Sequence, residues 1–578
     1  MVLLTWAFAI ACLVSIGLLP SLLIGDKDSN LKVIRAAIWW GLLVTTIFTY
    51  GINLVTPLRS GAAALSFLAL IFILGIPGWV MLIRRKTIPE QPRGKSDHWI
   101  LGAFVLTTLY FAATALGPIT NYDSGLYHLG AIHYAGDFST IPGLANVYFA
   151  FGYGNAEFPL AALLGNGPWN GEGYRLLNGL VVVLLLIELW TRWRTAKQSS
   201  GTYVLIAGTV MALVPMVALA DYWVTSPSQD SSVFIVTLIA VAYICDFVTE
   251  RAKSVLNCTV ILVLSILLVL LRPTMLAFAF GACVVIAVKL WRDRKNIAHL
   301  HLATPLALVI AAAALATVFA VLRDYLLSGW VQFPLSLYAF NVDWLAANPV
   351  TERTATLGYH RNPDDLWNAA SGWGWVGSWI SRLPSQWETF EFLGAAGLAA
   401  SLMIYITLKH RLVIRWKSLT LALFPSVVAV AVWWLATPPS FRFIWGPLMS
   451  LPAIVTGWAI WRIAQSNESS TTKGYMTARN FMGIAWIPVL LVIAFTVFTR
   501  TQWSSITSER TWDTGLHIPY AVAEIPAPPT YERKLEGGVI VTIPSENEQC
   551  WDNYDLCTPA PSPGLRLRGT TVQDGFLQ

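Results

Sequence analysis

Apolar runs long enough to span a membrane recur along almost the whole chain, and they constrain the fold more than any other feature. A transmembrane helix needs about 20 consecutive, mainly apolar residues. Of the 578 residues, 56% are hydrophobic and 12% are charged. We therefore predict an all-α polytopic membrane protein with about 12–14 transmembrane helices. The expected spans are 2–24, 33–55, 60–83, 98–120, 174–191, 203–220, 231–248, 255–271, 274–291, 302–322, 391–408, 418–435, 443–463 and 480–499.

The eighth and ninth runs are shorter than most of the others and meet at Arg272-Pro273. They could form a hairpin that does not fully cross the membrane.

Basic residues between the apolar runs predict the orientation. Lysine and arginine are enriched in short cytoplasmic loops, whereas 121–173 contains neither and 323–390 contains few. We therefore expect these two loops and the tail 500–578 to face outward. The net charge of +6 lies in short clusters rather than on one face, so we expect no nucleic-acid partner. The clusters are Arg84, Arg85, Lys86, Arg93 and Lys95; Arg192, Arg194 and Lys197; Arg292, Arg294 and Lys295; and Lys409, Arg411, Arg415 and Lys417.

The mass outside the membrane is expected mainly in these outward parts. Loop 323–390 is rich in tryptophan, which either anchors the loop at the membrane interface or stacks on sugar rings. The tail contains the strand-like stretch "GGVIVTIP" among turn-rich segments, which predicts a small irregular cap. Cys550 and Cys557 lie in this tail, where an oxidising compartment would allow a disulfide between them.

The stretch "NYDSGLYHLGAIHY", residues 121–134, places an acid, two tyrosines and two histidines directly after the fourth run. Asp123 could simply be the N-cap of a helix Ser124–Tyr134, because aspartate is a favoured capping residue. Capping does not explain why Tyr127 and His128 lie near the same surface. His128 could instead only hydrogen-bond a backbone carbonyl.

Two arginines lie within or beside apolar runs: Arg272 in "LLRPTML" and Arg442 at the start of the thirteenth run. A charge in such a position is costly and indicates function by default, although either side chain could extend to the interface instead. Asp123, His128 and Asp230 could also share a divalent metal ion. The spacing of these residues is unlike that of a closed zinc site.

Several stretches resemble a family of uncharacterised bacterial membrane proteins assigned to the GT-C superfamily of membrane glycosyltransferases. They are "YDSGLYHLGAIHY" followed by "IPGLAN", then "SPSQD", "SGWVQFPLSLYAFNVDW", "FRFIWGP" and "CWDNYDLCTPAPSPGLRLRG". The similarity extends from residue 122 to the end. Two positions differ: Gln229 stands where the resemblance leads us to expect proline, and Ser440 and Phe441 precede Arg442 where we expect an acid.

The resemblance implies a GT-C-like bundle, with N-terminal helices 1–97, a catalytic region 98–499 and the tail 500–578. Such an enzyme moves a sugar from a polyprenyl-phosphate donor to a glycan, lipid-linked or protein acceptor, on the outward face of the bacterial inner (plasma) membrane. Asp123 is then the general base of an inverting transfer. Substrate would be bound by Tyr127, His128, Asp230, Arg272 and Arg442. Weaker candidates for sugar binding are Asp137, Glu157 and Asp343.

Two other function classes stay open. One is a transporter or flippase for a lipid-linked glycan, which should concentrate polar residues at the membrane midplane; the polar chemistry here lies in outward loops instead. The other is a non-catalytic scaffold of surface polysaccharide assembly, in which Asp123 only caps its helix. No Walker A or dinucleotide fingerprint is present in the sequence.

Overall fold

The structure is a computed structural model of the full chain. It describes residues 1–25, 28–85, 98–169, 171–195, 199–249, 254–294, 302–408, 416–468, 478–500, 525, 527–551, 553 and 556–578. Several of the basic loop residues, among them Lys86, Arg93, Lys95, Lys197, Lys295 and 409–415, lie outside the described residues, as does the first part of the tail, 501–524.

Long apolar helices dominate the described part of the chain, which makes this an all-α multi-pass membrane protein. Eleven described helices are long and apolar enough to cross a membrane, and two apolar helices of 17 residues and one helix of 24 residues cover the remaining predicted spans. In chain order they are α1 (Val2–Ile24), α2 (Asn30–Asn53), α3 (Gly61–Arg84), α4 (His98–Thr114), α5 (Leu177–Thr195), α6 (Ser200–Ala218), α7 (Gln229–Thr249), α8 (Val255–Leu271), α9 (Leu276–Arg292), α10 (Ala303–Ser328), α11 (Trp387–Leu408), α12 (Trp416–Ala436), α13 (Trp445–Glu468) and α14 (Ala478–Arg500).

Serine side chains begin several of these helices. Ser29, Ser60, Ser199 and Ser254 each accept a hydrogen bond from a backbone N–H in the first turn of α2, α3, α6 and α8. Such caps satisfy an N–H that has no partner within the helix, which matters most beside a low-dielectric membrane. The short polar segments between apolar runs therefore define where the helices start.

Burial separates a central helix from peripheral ones. In α7, 94% of the apolar stretch is buried, against 11% in α3 and 11% in α11. Close packing of α1 on α2 depends on glycine, because a Cβ on Gly17 would lie 1.9 Å from the Ala37 carbonyl oxygen. The exposed apolar faces of α3 and α11 fit contact with lipid.

The break between α8 and α9 lies at Arg272. The helix α8 ends at Leu271, a 3-10 turn covers Pro273–Met275, and α9 starts directly after it. Proline has no N–H to continue the helix, so the chain turns here. Each helix has 17 residues, or about 26 Å, which is slightly less than the hydrocarbon core of a bilayer, about 30 Å.

The long loops and the tail gather at one end of the bundle, which we call the loop end. Phe576 in the tail donates its N–H to the Pro142 carbonyl, and Arg568 forms an ion pair with Asp343. Three two-stranded antiparallel sheets are found among the described residues of these parts, and Ile540–Pro544 falls in the stretch expected to be a strand. The strands are β1 (Trp330–Gln332), β2 (Leu335–Ala339), β3 (Thr530–Lys534), β4 (Ile540–Pro544), β5 (Arg566–Leu567) and β6 (Phe576–Leu577).

At the opposite end of the bundle, four charged side chains form a closed group that we call the opposite-end cluster: Arg35, Glu188, Arg192 and Asp246. Arg192 contacts Glu188 at 2.6 Å and Asp246 at 2.5 Å. Arg35 lies 3.5 Å from Glu188 and donates to the Tyr243 hydroxyl. These side chains are 0–4% exposed. Interpreting Arg192 as part of a basic loop was therefore wrong, because two buried carboxylates hold it inside the bundle.

Candidate functional site

Four charged side chains from separate parts of the chain meet at the loop end. Arg442 lies 2.9 Å from the Asp123 carboxylate, and Arg272 forms an ion pair with Asp230. The two pairs are joined because Nη1 of Arg272 donates to the Arg442 carbonyl at 3.2 Å. We call Asp123, Asp230, Arg272 and Arg442 the loop-end cluster. All four are residues that the sequence analysis singled out.

Asp123 does not cap a helix through its side chain. It precedes a π-helical turn, Ser124–His128, which continues into an α-helix, Leu129–Asp137, and its carboxylate makes no capping hydrogen bond. Its N–H instead donates to the Asn121 side chain. The helix expected at Ser124–Tyr134 is thus present in modified form, and the carboxylate is directed to Arg442.

Asp230 is held at the first turn of α7, where the helix dipole favours a negative charge. Its side chain is 4% exposed and accepts a hydrogen bond from the Ser228 hydroxyl at 2.9 Å. Asn178 from α5 donates to the carbonyls of Ser226 and Ser228 and so holds this loop. These hydrogen bonds therefore fix the position of the Asp230 carboxylate that pairs with Arg272.

Tyr127, which is partly buried, and His128, which is buried, lie next to Asp123. Their rings lie 4.5 Å apart, and the His128 Nδ1 is 3.2 Å from the Ser124 hydroxyl. Burial lowers the pKa of His128 to about 4, so its imidazole is neutral at neutral pH. Burial also raises the pKa of Tyr127 well above its usual value. These two side chains offer hydrogen bonds rather than charge.

Two residues near the cluster were missed by the sequence analysis. Tyr222, in the short helix Ala220–Trp223, lies close to Arg442. His360, in the helix Val350–Arg361, packs on Phe443 with ring centres 5.3 Å apart. Burial lowers the pKa of His360 to about 4. Neither residue carries a local sequence signal, because each reaches the site only through the tertiary fold.

Tryptophans hold the short segment that carries Arg442. The indole N–H of Trp379 donates to the Pro439 carbonyl, and that of Trp433 donates to the Ser440 carbonyl, both at 3.0 Å. Both rings also pack against Phe441. These two indoles therefore bind the protein's own backbone and support Arg442.

A buried acid lies behind Asp230. Glu157 is 1% exposed, and its Oε1 is 3.1 Å from the Ser232 hydroxyl. Burial raises the pKa of Glu157 to about 8, so the side chain is protonated at neutral pH. The other two weaker candidates lie in ion pairs, Asp343 with Arg568 and Asp137 with Arg59.

An apolar cavity of ≈ 370 Å³ lies between α8, α9 and α10, and we call it the side groove. Leu262 and Ile266 of α8, Leu276 of α9 and Val309 of α10 line it. Pro273, which directly follows Arg272, also lines it. The groove wall and the loop-end cluster are therefore adjacent in the chain, at Pro273 and Arg272.

Within the described part of the chain, no three His, Cys, Asp or Glu side chains are grouped so that they could hold a metal ion. Asp123 and Asp230 each face an arginine. The divalent ion that these aspartates and His128 could share stays a prediction.

Fold and site together define a class: a multi-pass all-α membrane protein with a charged site where several helices and loops meet at one end of the bundle. The chain belongs to the family described as "Domain of unknown function (DUF8201)", whose model matches residues 1–449. No curated protein and no solved structure is similar enough to this chain to match it. The matched region includes the whole loop-end cluster, whereas the tail follows it.

Proposed function

We propose that the protein is a membrane glycosyltransferase that moves a sugar from a polyprenyl-phosphate donor to a glycan, lipid-linked or protein acceptor. The observation that carries this proposal is the meeting of the Asp123–Arg442 and Asp230–Arg272 pairs beside the side groove. A lipid-anchored anion and a polar acceptor can meet only at such a boundary. The distribution of basic residues supports an outward orientation for the loop end.

Asp123 is the proposed general base. The acceptor hydroxyl gives its proton to the Asp123 carboxylate while the hydroxyl oxygen attacks the anomeric carbon of the donor sugar. The bond between that carbon and the phosphate oxygen breaks, and the electron pair leaves with the polyprenyl phosphate. A single displacement of this kind inverts the anomeric centre. Arg442 fixes the carboxylate through Oδ2 at 2.9 Å.

Arg272 and Arg442 are the proposed partners of the leaving phosphate. Both guanidinium groups lie against the Phe443 ring, at 5.4 and 5.0 Å from its centre, so they flank one small region. Arginine suits this task because its planar group can form two parallel hydrogen bonds to a phosphate. Tyr127 and His128 would then supply neutral hydrogen-bonding groups beside the sugar.

The side groove suits the lipid part of the donor. Its walls are mainly aliphatic, and it runs along helices that would lie in the membrane. Because Pro273 lines the groove, a lipid bound there would pass the residue that directly follows Arg272 in the chain. The lipid could thus stay in the bilayer while its phosphate reaches the cluster.

The test compares Asp123→Asn with the intact protein, in cells that lack their own copy, at equal membrane abundance. Mass spectrometry of the released envelope sugars is expected to show that one sugar addition is lost. The matched control is Asp364→Asn, because Asp364 is an exposed carboxylate outside the cluster. If deletion of the protein changes the glycan but Asp123→Asn leaves it unchanged, Asp123 is not the general base. That result would favour a transporter or a scaffold.

A further inference from the structure

The tail covers the Asp123 segment directly. The Trp551 N–H donates to the Gly125 carbonyl at 2.9 Å. On the other side of Asp123, the Gln549 side chain donates to the Tyr122 carbonyl at 2.8 Å. The Tyr122 hydroxyl in turn donates to the Asn547 carbonyl at 3.0 Å. Both flanks of Asp123 are therefore tied to the tail.

The contact between Gly125 and Trp551 leaves no space for a larger residue. A Cβ on Gly125 would lie 2.6 Å from the Trp551 indole and 3.0 Å from the Gln549 side chain. The glycine therefore lets the indole rest directly on the π-helical turn Ser124–His128. The indole thus packs on the backbone two residues after Asp123.

A disulfide links the residue before Trp551 to a second part of the tail. Cys550 is bonded to Cys557, as expected from the sequence. Beyond it, the Thr558 N–H donates to the Thr542 carbonyl of β4, and its hydroxyl donates to the Val147 carbonyl. Thr558 is thus fixed to β4 and to the first loop. Through the disulfide, the neighbouring Cys557 restrains Cys550 and with it Trp551. We call described residues 547–551 and 556–558 the tail clamp.

We propose that the tail clamp positions Asp123 for proton transfer, with Trp551 as the positioning residue, and that the clamp works only while its disulfide is formed. This inference rests on the proposed function. Reduction by a dithiol passes two electrons and two protons to the Cys550–Cys557 bond, which leaves two thiols and a disulfide in the reductant. Trp551 and its neighbours are then no longer confined to a short closed loop. Holding them against the Asp123 segment therefore costs more conformational entropy.

Positioning matters here because the transfer needs the carboxylate within hydrogen-bond reach of the acceptor hydroxyl. A displacement of about 1 Å can cost about 100-fold in rate. The Asp123–Arg442 pair holds only the end of the side chain, whereas the tail clamp holds the backbone on either side of it. The clamp and Arg442 therefore act on the same residue from different directions.

The first measurement is hydrogen exchange of peptides covering 121–134 in the purified full chain. We expect exchange to become about ten-fold faster or more after dithiol reduction, and equally in a Cys550→Ser/Cys557→Ser variant. The control is Tyr531→Ala, which changes an exposed strand residue of the tail without touching the clamp. If reduction leaves exchange in 121–134 unchanged, the clamp is refuted, whatever the protein catalyses.

The second measurement is the envelope glycan of cells that carry Trp551 variants. Trp551→Ala should reduce the sugar addition about 10-fold or more at equal abundance. Trp551→Phe keeps the backbone N–H and an aromatic ring, so this variant should retain most of the sugar addition. A Trp551 variant could show faster exchange and still add the sugar, while Asp123→Asn abolishes the sugar addition. That result would overturn only the positioning role of the clamp. If Asp123→Asn also keeps the sugar, the proposed function fails, and the inference with it.

Discussion

The two ends of the bundle contain similar charged groups in different states. Each has two arginines and two carboxylates. At the opposite end the side chains are 0–4% exposed. At the loop end Asp230 and Arg272 are similarly buried, at 4% and 8%, but Asp123 and Arg442 are 19% and 23% exposed. A closed group can only stabilise the packing of α2, α5 and α7. A pair that is partly open to water, such as Asp123–Arg442, is accessible to the proposed substrate.

The energetics of ion pairs support this distinction. Removing one partner of a buried pair costs about 3–5 kcal/mol, because a charge is left without compensation. A partly exposed pair contributes about 0–1 kcal/mol, because water replaces the lost partner. Stability should therefore depend on the opposite-end cluster, whereas the partly exposed Asp123–Arg442 pair should matter for activity rather than for stability.

The largest effect on stability is expected for Arg192→Ala. Glu188 and Asp246 would both lose their closest cation, so the variant should lose about 3–5 kcal/mol of folding free energy. Thermal unfolding in detergent and abundance in the membrane report this loss. The neighbouring Arg194→Ala, which removes a contact with Trp190, should cost less than about 1 kcal/mol. Equal losses in the two variants would contradict a specific role of the opposite-end cluster.

For Arg442→Ala we expect a large loss of activity and little loss of stability. Under the proposed function, activity should fall about 100-fold or more, because the proposed base Asp123 loses its orienting partner and the proposed leaving phosphate loses a cation. The thermal midpoint should change little, since the pair with Asp123 is partly open to water. Arg353→Ala, an exposed arginine in a loop-end helix, is the control. If Arg442→Ala is inactive only because the variant does not accumulate in the membrane, Arg442 is needed for stability. The two ends of the bundle would then not differ as proposed.

Glu157→Gln should change how stability depends on pH. Folding raises the pKa of Glu157 from about 4.5 to about 8 by burial, so the folded state holds a proton that the unfolded state releases. This contribution is fully present below about pH 4.5 and is lost as the pH rises through about 8. The wild type should thus melt about 2–4 °C lower at pH 9 than at pH 5 from this group alone. In Glu157→Gln this part of the pH dependence should vanish.

The smallest effect is expected for Trp379→Phe, which removes the hydrogen bond to Pro439 but keeps an aromatic ring. Loss of about 1 kcal/mol of support for the Arg442 segment should reduce activity about 5-fold. Trp367→Phe, a change at an exposed tryptophan, should have no effect. Similar activity in both variants would mean that the indole bond does not support the site.

The sequence predicts much of the fold and the charged part of the candidate site. Apolar runs predict the helices because each must satisfy its own backbone in lipid. Arg272 and Arg442 stand out because charges beside apolar runs are costly, whereas Asp230 was singled out through the resemblance and the possible metal ion. Tyr222 and His360 do not stand out, since aromatic residues in polar loops are common. The role of Arg192 was misread because a buried arginine near a helix end has the same local sequence as a loop arginine.

The contact between the tail and the Asp123 segment also links activity to protein synthesis. Tyr122 and Asn547 are 425 residues apart in the chain, and the helices α5 to α14 lie between them. The ribosome thus produces the Asp123 segment long before the tail that covers it. A chain that stalls during membrane insertion lacks the covering segment. Under the proposed clamp, it would not act on donor lipid before its synthesis has passed residue 557.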